Sequence, residues 1–554
     1  MPLIGVEAGA ASAVACSASA ILCAYVADRL GLTLAPLAIL AASLAIAIGV
    51  YVRLRRETVA GGDGTAGAFL LIVTGTFAWL MWRARPDFLP TGTGSDLAHH
   101  LSLIAYIEQH RMLVHGPAAG PYLAEMIDYT PGAHLLAVMA GAWTRRDALH
   151  VVHAVVSLTA AVKSGLVFLI ARRLMPDGVP RVPFAIAAAW LLWLPYVFFA
   201  GSFMEQSFLS QVVSELFAVA MWWTIVVWRE QRSLHAMALF ALFGTATFLT
   251  WPIWVGPLVL TLVVVVMSCT WRDTQVRTHA DAAVGPYTTL AVALIPIAIV
   301  GTLYASARQV YGFQMVNAVG FALWPSPRTL GWPFIVLAAG GLIGIVRDRR
   351  ARVAALLSAA IALQAAALVG TGLNSGATTP YLTLKMTYLA IYPLAVAAAV
   401  MLAGAWRAAL PPAAAVRYAW LPLTIVALAA GRSLASAPPV RPVVTQPLLL
   451  AGEWARAHVL PACVDYLVAD GNSGYWLHLA VLGNPRASGR ALDNDTFDPR
   501  KAIVRWVLPG GLPYAITEDF DGLPRDIRTN VDVLARFGPA AVVQRRGPSA
   551  CDSK

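Results

Sequence analysis

The feature that most constrains this chain is a recurring apolar stretch of about 20 residues, which is long enough to cross roughly 30 Å of hydrocarbon as a helix. Such stretches follow one another from the N-terminus to about residue 430 and then stop. Of the 554 residues, 58% are hydrophobic and 12% are charged, whereas soluble domains carry about 25% charged residues. The bilayer must therefore be the main solvent of this chain.

The hydropathy pattern predicts a polytopic α-helical membrane protein with about thirteen transmembrane helices. A transmembrane domain over residues 1–435, with a long first outer loop at 84–148, precedes a small soluble α/β domain at 440–554. No cleavable signal peptide is expected, because the N-terminus lacks a basic segment. The helices are predicted near residues 8–27, 33–51, 66–83, 149–171, 183–200, 209–228, 236–251, 253–269, 285–305, 331–346, 353–370, 383–403 and 418–431.

The arginines indicate orientation, because they cluster in every second loop and basic loops remain in the cytoplasm. The net charge of +11 is accounted for in this way and does not indicate a nucleic-acid partner. With an odd number of spans, the N-terminus is expected inside and the C-terminal domain outside. The basic loops hold Arg53, Arg55, Arg56, Arg172, Arg173, Arg181, Arg229, Arg232, Arg272, Arg277, Arg347, Arg349, Arg350, Arg352, Arg407 and Arg417.

The C-terminal region changes to mixed α/β patterning, with strands expected at 464–468, 514–516 and 540–543 and helices at 474–482 and 526–536. Cys463 and Cys551 lie in this region. They would form a disulfide if the region faces an oxidising compartment. In the first outer loop, residues 96–110 read as an amphipathic helix, and residues 135–143 as a second helix lying at the membrane interface.

The first outer loop also holds the main candidates for chemistry. Asp96 is followed three and four residues on by His99 and His100, which a helix would place on one face. One interpretation is an N-cap aspartate with two interfacial histidines. The other is a general base or a metal site, since a carboxylate can accept a proton from a hydroxyl group. A turn after Asp128 and Tyr129 leads to His134, and this segment either completes a cluster with Asp96 or is only a solvated turn.

Three further charged positions lie on the predicted outer side. Glu205 sits between two spans and either reaches into water or supplies a second carboxylate to the cavity of Asp96. Lys385 begins a late span, where it either extends toward the headgroups or holds a phosphate group. Arg308 and Arg328, in another outer loop, could share that role. Inside a span, Lys163 is expected to face the interior of the helix bundle.

The chain resembles the GT-C superfamily of membrane glycosyltransferases, which includes protein mannosyltransferases and aminoarabinose and arabinofuranosyl transferases. The resemblance rests on many spans, a long first outer loop opening with Asp96, His99 and His100, and an outer C-terminal domain. The segment from 372–376 through Tyr381 and Lys385 is also similar to the tyrosine-and-lysine stretch before a late span in these enzymes. The resemblance to this superfamily implies a polyprenyl-phosphate-linked sugar as donor and a cell-envelope glycan, lipid or protein as acceptor.

The resemblance further implies roles for single residues. Asp96 would act as general base in an inverting transfer, and Lys385 would stabilise the leaving lipid phosphate. Many relatives carry two adjacent acidic residues in this loop, whereas here Leu97 follows Asp96. Glu205 or Asp128 would then supply the second carboxylate, or Asp96 works alone. The resemblance leaves undecided whether the reaction needs a divalent cation, Mg or Mn. The ligands of such a cation would be Asp96, His99 and Glu205.

Other classes of function compete with a transferase. A transporter or flippase would need polar residues spread through the spans, whereas here they gather on one side. A non-catalytic envelope scaffold would tolerate replacement of Asp96, and an O-antigen ligase or polymerase would depend on outer-loop arginines and a histidine. The expected location is a bacterial plasma membrane, with the C-terminal domain in the periplasm or its equivalent.

Overall fold

The computed structural model describes residues 1–59, 64–92, 95–115, 119–274, 285–307, 322–374, 376, 380–485, 506, 511–547 and 551. Among these residues, ten helices are long and apolar enough to cross a membrane, which confirms the predicted polytopic helical architecture. They are Gly5–Arg29, Pro36–Arg55, Thr65–Arg83, Ala148–Leu174, Leu209–Gln231, Pro252–Cys269, Pro286–Ser306, Arg352–Asn374, Tyr381–Ala409 and Ala414–Ala435.

The other three predicted spans are shorter apolar helices, Arg181–Leu191, Leu234–Thr250 and Trp332–Arg347. The predicted span 183–200 is not continuous, since its helix ends at Leu191 and a short helix, Tyr196–Phe199, follows. Pro195 separates the two, because proline has no N–H to continue the helical hydrogen bonds and its ring clashes with the preceding turn.

The outward faces of the long helices expose large apolar side chains. Leu37, Leu71 and Leu428 are 76%, 67% and 69% exposed. A soluble protein rarely leaves so much apolar surface uncovered, and lipid is the partner that fits a belt of this kind. The apolar core lies between the helices, where alanines allow close packing.

The loops predicted to be cytoplasmic meet on one side of the bundle. Arg53 Nε lies 2.8 Å from His235 Nε2, and Arg229 Nη1 donates to the carbonyl of Arg350 at 2.8 Å. Arg173 binds Glu7 with two of its nitrogens and also pairs with Glu230. These loops therefore share one face of the bundle.

The opposite side carries the first outer loop, whose two predicted helices are present as Ser95–His110 and Gly132–Thr144. Between them lie a short helix, Gly120–Leu123, and a 3₁₀ turn, Ala124–Asp128. The apolar positions of the first helix are buried. This helix packs against the C-terminal region at Leu477–Val481.

The C-terminal region contains a four-stranded mixed sheet, with the strand at 464–467 at one edge and that at 531–537 at the other. The expected helix at 526–536 is wrong: a helical turn ends at Thr529 and residues 531–537 form an edge strand paired antiparallel with the last strand. Cys463 and Cys551 form a disulfide. The elements of this region are Gln446–His458 and Gly471–Trp476 (α-helices), Pro461–Cys463 (3₁₀), Leu477–Val481 (π), Arg525–Thr529 (α), and the strands Val464–Leu467, Tyr514–Thr517, Val531–Phe537 and Ala540–Arg545.

Near the N-terminus, Leu3–Ile4 pairs in parallel with Thr58–Val59. The remaining short helices are Gly201–Met204, Pro327–Leu330 and Pro412–Arg417.

The close contact between the Trp332–Arg347 and Tyr381–Ala409 helices depends on Gly341. We therefore expect a larger residue at this position to destabilise the protein. A Cβ at Gly341 would overlap the carbonyl of Ala397, whereas one at Gly344, a turn away on the same helix, meets no described atom within 4 Å. Gly341→Ala should lower the free energy of unfolding by about 1–3 kcal/mol through overpacking. Thermal unfolding in detergent measures this, with Gly344→Ala as the matched control; equal midpoints for the two variants would contradict the close packing.

Candidate functional site

Asp96 lies in the first turn of the Ser95–His110 helix, and its side chain is exposed. Its charge acts on Tyr129, which comes from the end of the same loop, and on Tyr381 and Lys385, which begin the Tyr381–Ala409 helix. The charge of Asp96 thus reaches three other side chains that the sequence singled out, and two of these, Tyr381 and Lys385, are in direct contact. The four side chains come from three segments far apart in the chain.

Lys385 is almost completely buried, with 1% of its surface exposed. Its ammonium lies over the ring of Phe208, 5.0 Å from the ring centre of Tyr381 and 5.4 Å from that of Tyr388. Aromatic faces attract a cation, but they do not replace its hydrogen bonds to water. Within the part of the chain that the structure describes, no carboxylate lies within 4.0 Å of this ammonium. When it is charged, this ammonium therefore has aromatic faces but no described carboxylate against it.

Tyr388 continues the wall of this cage. It lies three residues after Lys385, so the two share one helix face. Its hydroxyl donates a hydrogen bond to Gln206, and its ring meets those of Phe198 and Phe208 edge to face. These contacts fix the ring against the segment that precedes the Leu209–Gln231 helix.

The three histidines that the sequence singled out in this loop contact one another or the C-terminal region. His100 Nδ1 lies 3.0 Å from His134 Nε2, and their rings stack. The ring of Tyr129 meets both edge to face. His99 Nε2 lies 2.9 Å from the hydroxyl of Tyr475. These contacts join the loop's two helices to each other and to the C-terminal region.

The side chains of Tyr129 and His134 titrate outside their usual ranges. Burial, together with the neighbouring Tyr381 and the charge of Asp96, raises the pKa of Tyr129 well above its ordinary value. His134 is 1% exposed. Burial and the neighbouring His100 lower the pKa of His134 well below its usual value. Both groups are therefore neutral at physiological pH.

Glu205 faces Tyr196 and Arg83. The side chains of Glu205 and Tyr196 both lie beside Gly201, and the charge of Arg83 acts on the Glu205 carboxyl. Burial raises the pKa of Glu205 nonetheless. Asp128, the other candidate for a second carboxylate, is partly buried at the end of its 3₁₀ turn. Its main-chain carbonyl accepts a hydrogen bond of 2.7 Å from Tyr304.

Of the two arginines proposed for phosphate binding, the structure describes one. Arg308 lies outside the described residues. Arg328 lies on the short Pro327–Leu330 helix with its side chain exposed to solvent. Lys385 is thus the cation that the described structure brings to Asp96.

The three side chains named as metal ligands do not fit a shared ion. His99 is bonded to Tyr475, and Glu205 is turned to Tyr196 and Arg83. Across the described ranges there is no group of three or more His, Cys, Asp or Glu side chains that could hold a metal ion.

Sequence reasoning missed one charged residue close to the site, Glu215. Glu215 lies inside the Leu209–Gln231 helix, forms an ion pair with Lys163 and accepts a hydrogen bond from Tyr392. Both members of the ion pair are fully buried. The available signal was a single carboxylate in an otherwise apolar span, which by itself marks a functional position.

The neutral state of His134 generates a prediction. The unfolded chain binds a proton at this histidine below about pH 6.5, whereas the folded chain resists it, so the protein loses stability as the pH falls through that value. His134→Gln should remove this component, which amounts to at most about 1.4 kcal/mol per pH unit. Thermal unfolding in detergent from about pH 7.5 to 5 measures it. His458→Gln, at an exposed position, is the control, and an unchanged pH slope in His134→Gln would refute the assignment.

Comparisons with known proteins add distant likenesses. No family model matches the chain, and no curated protein matches it in sequence. Among solved structures, the chain is similar to ArnT from Cupriavidus metallidurans bound to undecaprenyl phosphate, with a TM-score of 0.47 and 13% identity over 87% of this chain and 98% of that one. It is also similar to the oligosaccharyltransferase AglB from Archaeoglobus fulgidus in complex with an inhibitory peptide and a dolichol-phosphate, with a TM-score of 0.45 and 12% identity over 82% of this chain and 69% of that one. A structure of the Archaeoglobus fulgidus enzyme with Zn and sulfate gives a TM-score of 0.42 at 13% identity, over 82% of this chain and 68% of that one.

Proposed function

We propose that this chain is a membrane glycosyltransferase that moves a sugar from a polyprenyl-phosphate donor to a hydroxyl group of a cell-envelope acceptor, on the outer face of the membrane. The observation that carries the proposal is the buried amino group of Lys385, held in an aromatic cage on which the charge of the exposed Asp96 carboxylate acts. The ammonium of Lys385 can bind a phosphate group. The carboxylate of Asp96 can accept the proton of a hydroxyl group.

The lysine provides the donor side of the site. A cation that has lost its water without gaining a carboxylate is costly to bury, and a bound anion relieves that cost. A lipid phosphate meets this requirement, because its chain stays in the bilayer while its phosphate sits at the level where the Tyr381–Ala409 helix begins. Lys385 then stabilises the charge that develops on the leaving phosphate.

The carboxylate provides the acceptor side. Asp96 accepts the proton of the acceptor hydroxyl as the oxygen attacks the anomeric carbon. A bond forms between that oxygen and the carbon, and the bond from the carbon to the phosphate oxygen breaks. Its electron pair leaves with the polyprenyl phosphate. Attack opposite the leaving group inverts the anomeric centre.

The remaining polar side chains line or support this site. Tyr129 and Tyr381 lie within the electric field of Asp96 and offer ring faces and hydroxyls to a sugar. His100 and His134 hold Tyr129 in place through their ring contacts. Asp128, Glu205 and Arg328 remain candidates for the outer part of the site, and Arg308 lies beyond the described residues.

A location in a bacterial plasma membrane follows from the same proposal. The basic loops would face the cytoplasm by the positive-inside rule, which puts the first outer loop and the C-terminal region outside. The Cys463–Cys551 disulfide supports this orientation, because disulfides persist in oxidising compartments.

A transporter is the second candidate, favoured by the Lys163–Glu215 pair inside the bundle. Both side chains of that pair have no exposed surface, so the pair lines no water-filled path in this conformation. A scaffold without chemistry would give neither donor cleavage nor transport.

Replacement of the proposed base tests the reaction. Asp96→Asn should lower the release of polyprenyl phosphate from polyprenyl-phosphate sugars by about 10²–10⁴-fold, since the amide cannot accept the hydroxyl proton. The assay uses purified protein in detergent with a donor panel and a cell-envelope lipid extract as acceptor. Asp87→Asn, in the same outer loop, is the matched control. Full turnover in Asp96→Asn would remove this residue from the role, and no turnover by the unaltered protein with any donor would favour transport or scaffolding.

Replacement of the proposed phosphate partner tests donor binding. Lys385→Met keeps most of the side-chain volume but removes the charge, and should weaken binding of undecaprenyl phosphate at least tenfold, or about 1.4 kcal/mol. Lys385→Arg keeps the charge and should retain more of the affinity. A fluorescent or radiolabelled lipid measures both in detergent micelles, and equal affinity of Lys385→Met and the unaltered protein would exclude Lys385 as the phosphate site.

A further inference from the structure

A second buried lysine lies deeper in the bundle than Lys385 and is already paired. The Lys163 ammonium forms its ion pair with Oε2 of Glu215. The same oxygen accepts a hydrogen bond from Tyr392. The pair therefore joins three helices, Ala148–Leu174, Leu209–Gln231 and Tyr381–Ala409.

The charge of Glu215 acts on both buried lysines, although only Lys163 is bonded to this carboxylate. Lys385 and Tyr392 are seven residues apart on one helix, so both lie on the same face, separated by roughly 10 Å along the axis. Tyr392 touches Glu215 directly, and the charge of Glu215 acts on Lys385. Glu215 is thus bonded to Lys163 and acts on Lys385 only through its charge, more weakly than Asp96 does.

We propose that Lys163 is a positioning residue that keeps Glu215 engaged and so leaves the ammonium of Lys385 available to the phosphate of a lipid substrate. The ring of Tyr392 also lies 5.1 Å from the Lys163 ammonium and holds it at the carboxylate. The proposal rests on the proposed function, because it takes Lys385 as the phosphate site.

The arrangement has a consequence that a purely structural ion pair lacks. If Lys163 is removed alone, Glu215 is left as a buried carboxylate whose charge falls on Lys385, the other cation in its field. That carboxylate then competes with the lipid phosphate. If both members of the pair are removed, no competing anion remains and Lys385 is again available. The single and the double replacement therefore act in opposite directions on phosphate binding.

The test measures binding of undecaprenyl phosphate to the full chain in detergent. Lys163→Met should weaken binding by about tenfold, and the double variant Lys163→Met/Glu215→Gln should return it to within about threefold of the unaltered protein. Lys163→Arg, which keeps the cation, should bind like the unaltered protein. Size-exclusion profiles and thermal midpoints report folding. Equal weakening in the single and double variants would overturn the proposal and leave a structural pair.

Glu215→Gln alone keeps the test decisive if Lys163→Met does not fold. It removes the competing anion while Lys163 remains, so binding should be at least as tight as in the unaltered protein; weaker binding would overturn the proposal. The experiments distinguish a failure of the proposed function from a failure of the role proposed for Lys163. If Lys385→Met binds the lipid as well as the unaltered protein does, the proposed function fails. If Lys385→Met loses binding while Lys163→Met does not, only the role of Lys163 fails.

Discussion

A charge taken out of water must be met by an opposite charge, by hydrogen bonds or by a ligand, and the charges inside this helix bundle are arranged around that condition. Arg173 meets it with Glu7 and Glu230 near the basic face. Lys163 meets it with Glu215 in the interior. Lys385 is as deeply buried but is surrounded by aromatic rings instead of carboxylates. The site proposed here is the place where the condition is left to a ligand.

The helical architecture was readable from the sequence because lipid imposes a simple rule. A span must be apolar over about 20 residues and must satisfy its own backbone hydrogen bonds. Every predicted span contains a helix in the structure, including the three shorter ones. The rule says nothing about interruptions, and so the break at Pro195 within an apolar stretch was not foreseen. A helix that ends early in a bundle needs neighbouring side chains to cover its last carbonyls, and those neighbours are distant in sequence.

The site was readable only in part. Asp96 and Lys385 could each be chosen as a candidate from the sequence, since each is a charged residue at the outer end of an apolar helix. Nothing in the local sequence indicates that the two charges interact. Glu215 was missed because one carboxylate hardly changes the hydropathy of its span. In the C-terminal region, residues 526–536 carry helix-compatible polar residues. Pairing with the last strand overrides that local preference, as tertiary context commonly does.

The exposure of the charged side chains decreases from Asp96 through Lys385 to Glu215, and this order bears on the kind of function. Asp96 is exposed, Lys385 is nearly buried, and Glu215 is fully enclosed. A transport path must open to both sides of the membrane in turn, with its binding site between two gates. Here the charges lead inward from one side and end at a closed ion pair held by three helices. Charges that are accessible from one side only suit the proposed reaction between a lipid that stays in the bilayer and an acceptor that arrives from water. In the proposed site, the enclosed pair keeps Glu215 bonded to Lys163 and takes no part in the bond changes.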